Sequence, residues 1–127
     1  MDDFYQQVQE NGKLPTKEHA QRWTHAVLNT LGFNLDRRTK KALANELPED
    51  LGKAVGKVFF LAHFRDNTLS GEAFRKAVAR RSGNSDAQFA YYPTVAVFKA
   101  VQGVISRDLS QKIAETLSPE VKALWQQ

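Results

Sequence analysis

Slid along itself by 70 positions (74 − 4), the sequence sets residues 4–55 over 74–125 without a gap. Phe4 falls on Phe74, Val8 on Val78, Ala20 on Ala90, Thr24 on Thr94, Ala26-Val27 on Ala96-Val97, Arg37 on Arg107, Ala44 on Ala114 and Leu47 on Leu117. Leu28 with Phe98, Leu31 with Val101, Leu35 with Ile105, Leu43 with Ile113 and Leu51 with Val121 add apolar pairs. A common helical period would align apolar residues by itself, but it would not hold caps, turns and core positions in phase over four helices. A chain of this kind is expected to fold as two copies of one unit that bury their apolar faces against each other. The expectation is an all-α fold: about eight helices forming two pseudo-twofold-related four-helix units in one compact bundle. Residues 1–127 are then one domain, and 56–69 are a helical connector between the copies.

Apolar residues recur at three and four positions almost everywhere, the spacing of amphipathic helices, and no convincing strand is present. A first helix runs from about Asp2 to Asn11 and stops at Gly12. Thr16 caps a second that ends before Gly32, and Asp36 caps a third with Thr39, Leu43 and Leu47 inward. A fourth starts at Pro48, and from Leu51 through Phe59, Phe60 and Phe64 its apolar residues cover most of its circumference, as in a central helix. Ser70 caps a fifth helix, closed by Ser82-Gly83-Asn84. Ser85 and Gln88 form a capping box for a sixth that contains Phe89 and Tyr92, and Pro93 should kink it or split it near Tyr92. Ser106 opens the seventh and Ser118-Pro119-Glu120 the eighth.

The absence of cysteine excludes disulfide frameworks, thiolate nucleophiles and Cys-ligated metal sites. The polar, acidic start Met1-Asp2-Asp3 is unlike an export signal, and the longest apolar run, Val58 to Ala62, is far short of the roughly 20 residues of a membrane span. The expected setting is the cytoplasm, with no membrane contact. His19, His25 and His63 lack the spacing of a metal site on one helix, and no nucleotide-binding loop or nucleophile elbow appears. Neither a catalytic residue, a cofactor nor a metal is expected. Most acids, such as Glu18, Glu49, Asp50, Glu72 and Glu120, fall at helix starts, where the macrodipole accounts for them.

Three stretches stand out: Ala26-Val27-Leu28-x-x-Leu31, Leu43-Ala44-x-x-Leu47-Pro48 and, in the second copy, Ile113-Ala114-x-x-Leu117 with Glu120 and Leu124-Trp125. In these segments the chain resembles domain-of-unknown-function family 2267 over nearly its whole length. The resemblance implies a small, bacterial, duplicated helical protein, and it carries over no reaction, ligand or catalytic residue. Ser118-Pro119 departs from the Leu47-Pro48 junction of the first copy by moving the proline one position.

Basic residues are the open question. The formal charge is +4, and Arg37, Arg38, Lys40 and Lys41 on helix three and Arg75, Lys76, Arg80 and Arg81 on helix five are clustered. Arg37, Arg38 and Lys41 are the candidate anion or nucleic-acid contacts, although nearby acids and the lack of interleaved aromatics favour a solvated face and weak binding at most. The leading expectation is a non-catalytic helical module acting through a protein partner or self-association. A weak nucleic-acid binder and a small-ligand protein with a pocket between the repeats are the alternatives.

Overall fold

The computed structural model describes residues 2–56, 68–84 and 86–127. Among them are eight helices and no strand: α1 (Asp2–Asn11), α2 (Lys17–Phe33), α3 (Arg37–Glu46), α4 (Glu49–Gly56), α5 (Gly71–Arg81), α6 (Tyr91–Gln102), α7 (Arg107–Thr116) and α8 (Pro119–Trp125). The caps are local chemistry. Thr16, Asp36, Ser70 and Ser106 each accept a hydrogen bond from the backbone N–H three residues on, which satisfies one of the orphan donors of a helix start. Val58, Phe59, Phe60, His63 and Phe64, most of the expected connector, and Ser85 lie outside the described residues.

Two helix limits and the burial of one helix differ from the expectation for physical reasons. Residues 87–90 are a turn, and α6 begins only at Tyr91, so Pro93 sits in the first turn, where a missing N–H leaves no bond unmade. Gly32 does not stop α2, which continues through Phe33. It is instead the point where α2 closes on α4, since a Cβ there would stand 2.4 Å from the Val55 carbonyl oxygen. The described part of α4 is one-sided, with Leu51, Gly52, Ala54 and Val55 buried and Glu49, Asp50 and Lys53 exposed.

Among the described helices, the central place belongs to α2 and α6. They pack on each other, and α1 and α5 each touch both. Val27, Leu28 and Leu31 on α2 and Val97, Phe98 and Val101 on α6 are fully buried. Each such side chain contributes roughly 1.5–3 kcal/mol relative to exposure. Phe98 also packs against Phe74 and Trp125, with ring centroids 5.7 and 5.1 Å away. Thr24 and Thr94, on α2 and α6, are equally buried, and neither hydroxyl has a hydrogen-bond partner among the described residues.

The outer helices are tied end to end. Glu46, the last residue of α3, accepts from the Ser106 N–H at 2.7 Å and from its hydroxyl at 3.1 Å. The Thr116 hydroxyl at the end of α7 reaches Asp36 at the start of α3 at 3.5 Å. Glu120 of α8 accepts from Gly71 N–H at 2.8 Å, and the Ser118 hydroxyl donates to the Leu69 carbonyl at 2.7 Å. The moved proline therefore frees position 118 for a hydroxyl that fixes α8 to the entry of α5. No helix among the described residues is long and apolar enough to cross a membrane.

Candidate functional site

A groove of about 930 Å³ runs between α2 and α4, and the end of α5 closes one side of it. Its volume is in the range of small-molecule sites, and it is open to solvent. The wall on α2 is a polar stripe, Glu18, Arg22, His25 and Asn29, at spacings of three and four that put these residues on one helix face. Ala26 and Ala54 form part of the floor, and Asp50 and Lys53 face in from α4. Lys53 also meets Glu49 at 3.5 Å, an exposed pair of little energetic weight.

Arg81 enters from α5 and is fixed in place. Its Nε donates to Asn29 Oδ1 at 2.7 Å, and its Nη1 lies 3.4 Å from both the Thr30 hydroxyl and the Ala77 carbonyl. The guanidinium lies over the Phe33 ring, 5.0 Å from its centroid, in cation–π geometry. Arg81 is exposed at the edge of the groove, and partial burial of its guanidinium, and secondarily the neighbouring Arg80, lower its proton affinity, yet an arginine remains charged near neutrality. Asn29 in turn donates to the Ala54 carbonyl at 3.4 Å, so α2, α4 and α5 are joined at one point.

A second groove lies between α6 and α8, in two connected hollows of about 270 and 500 Å³ that share Tyr91 and Gln127. Its lining on α6 and α8 falls at the positions of the first groove plus 70. Arg22 corresponds to Tyr92, His25 to Val95, Asn29 to Lys99 and Asp50 to Glu120. Arg81, the last residue of α5, corresponds to Asn11, the last of α1, which lines the second groove. The first groove has no Phe, Tyr or Trp among its described lining residues, whereas the second joins Tyr91 and Tyr92 to the charged Glu72, Arg75, Lys99 and Glu120, with Arg75 5.9 Å from the Tyr91 centroid and Lys13 4.2 Å from that of Tyr92.

The residues singled out in the sequence lie elsewhere. Arg37, Arg38 and Lys41 are exposed on α3 and line neither groove. Lys40 beside them is only 8 % exposed, and burial, with Arg37 as the lesser cause, pushes its pKa below the usual lysine value. The cation–π contacts of Lys13, Arg75 and Arg81 place aromatics beside basic residues in space where the sequence does not interleave them. His19 is held by the Thr16 hydroxyl at 2.6 Å, His25 is exposed in the first groove, and no cluster of potential metal ligands exists among the described residues. Trp23 and Trp125 are core residues, as their spacing implies.

A search of curated proteins gives no match. A family model matches residues 1–124, nearly the whole chain, and its members are described only as uncharacterised conserved proteins. The chain belongs to that family, DUF2267.

Proposed function

We propose that the protein is a non-catalytic binding module of the cytoplasm whose recognition surface is the α2–α4 groove, and that it takes a small polar ligand there. One observation carries this reading: polar side chains from three helices converge on a hollow of about 930 Å³, and one of them, Arg81, is held in place by Asn29 and Thr30. Pre-fixed side chains spare a ligand part of the ordering cost of binding.

The same reading includes the duplication. Helix limits recur 70 positions apart, as in α3 with α7. The contacts recur as well: α1 on α6 answers α5 on α2, α2 on α4 answers α6 on α8, and α3 on α4 answers α7 on α8. The Glu46–Ser106 and Thr116–Asp36 ties exchange under the same offset. Two copies of one unit, related by a pseudo-twofold axis between α2 and α6, account for these facts, and the two grooves are then equivalent sites that have diverged.

A second reading, a protein partner or self-association, has its own observation in Phe89 and Tyr92. They are 56 and 50 % exposed and stand three positions apart, Phe89 in the turn before α6 and Tyr92 in its first turn. Val104, the other large exposed apolar residue among those described, sits beyond the far end of α6, so the three do not form one broad patch. The exposed Arg37, Arg38 and Lys41 support weak, sequence-independent nucleic-acid binding at most.

The groove reading is tested by thermal-shift screening of wild type and Gln21→Trp against metabolite classes. Gln21 is exposed and lines the groove, so the bulky substitution occludes it without entering the core. Ligands that stabilise the wild type should fail on Gln21→Trp. Equal stabilisation of both proteins would refute the groove as the site.

A further inference from the structure

The charge order along the first groove is uneven. Measured from Asn29 at 1.5 Å per residue, His25 lies about 6 Å away along α2, Arg22 about 10 Å and Glu18 about 16 Å. The Asn29 end holds Arg81, and among the described residues no carboxylate pairs with that guanidinium. Its internal bonds use Nε and Nη1, whereas Nη2, with two N–H donors, has no partner among the described residues. A fixed cation with donors to spare, at the end of a groove, is the chemistry that receives an oxyanion, since charge-assisted bonds are about twice as strong as neutral ones.

We propose that Arg81 anchors the anionic group, a carboxylate or phosphate, of a discrete small molecule, with the His25 imidazole as the next donor and Arg22 beyond it. This rests on the groove reading above and names the ligand's chemistry. Glu18 and Asp50 limit that chemistry. A polyanion laid along the groove would meet both carboxylates, so a nucleic-acid strand is disfavoured, and the far end of the ligand should carry hydroxyl or ammonium donors. The second groove has Asn11 in place of Arg81 and Val95 in place of His25, and its own cations, Arg75 and Lys99, stand at other positions of the lining together with Glu72 and Glu120.

The test is a titration followed through the Arg81 Nε–H and Asn29 side-chain amide resonances in nitrogen-15 spectra. Inorganic phosphate is the probe in one arm and acetate in the other, with chloride at matched ionic strength as the blank. Phosphate or acetate should shift both resonances with saturation, and the tighter of the two names the source of the anion. Arg81→Gln, followed through Asn29, should weaken binding at least about tenfold, the scale of a lost charge-assisted bond, and Arg22→Gln only about two- to threefold. Arg81 also ties α5 to α2, so Arg81→Lys is the companion variant: it keeps the cation, loses the planar fork and should still lose most of the affinity. Gln21 lies eight residues from Asn29, about 12 Å along the helix. Gln21→Trp should therefore keep phosphate at Arg81 even where it blocks a larger ligand. A ligand lost on Gln21→Trp but unaffected by Arg81→Gln would sink the anion anchor and leave the groove reading standing. A response matched by chloride, or equal in wild type and Arg81→Gln, overturns the proposal outright.

Discussion

Where α2 crosses α4, position 32 is glycine, and the backbones are so close that a Cβ would fall 2.4 Å from the Val55 carbonyl oxygen. Seventy positions on, where α6 crosses α8, the corresponding residue is Gln102, and its Nε2 donates to the Trp125 carbonyl at 2.7 Å. Trp125 is the counterpart of Val55. The same carbonyl position is thus met by a neighbouring backbone in one half and by a side chain in the other. Which helices meet follows from the shared pattern of core and caps, whereas how they meet follows from single residues. The grooves repeat this lesson, for one frame carries Arg22, His25 and Arg81 on one side and Tyr92, Val95 and Asn11 on the other.

The largest effect is expected at the close crossing. Gly32→Ala forces a methyl group into backbone, which cannot rotate away, and should destabilise by about 1–3 kcal/mol in urea unfolding. Gln102→Ala removes one bond from a half-buried side chain and should cost about 0.5–1.5 kcal/mol. Equal costs at the two positions would break the comparison, because both crossings would then tolerate the same spacing.

At the small end, changing Arg37, Arg38 and Lys41 together to Glu should alter stability by no more than about 0.5 kcal/mol, because these side chains are exposed and away from the core. Any affinity of the wild type for duplex DNA should be roughly micromolar or weaker and fall steeply with salt, and the triple variant should abolish it. Nanomolar, sequence-selective binding at 200 mM salt, a level on the order of specific readers, would move the functional surface from the groove to α3.

Much of the fold was legible because it is written locally. Thr16, Asp36, Ser70 and Ser106 announce their helices through chemistry that acts within three residues. The start of α6 was not, because residues 87–90 form a turn and the helix begins only at Tyr91, where Pro93 is accommodated at no cost in hydrogen bonds. Gly32 reads as a stop in one dimension and as a contact in three. The groove was harder still. Its parts are spread from Glu18 to Arg81 and meet only when α5 packs on α2, so Arg81 reads in sequence as one more base in a solvated run. The one available signal was the polar stripe Glu18, Arg22, His25 and Asn29 at helical spacing, bordering the buried Ala26 and Val27.

The function of the protein turns on which of the two grooves binds. Backbone amide shift mapping of the whole chain with a library of small polar fragments decides this most directly. Perturbations should gather on Gln21, His25, Asn29 and Ala54, with Tyr91, Lys99 and Ala123 in the second groove nearly still. Shifts that gather on the second groove, or spread evenly over both, would contradict the assignment of function to the α2–α4 site.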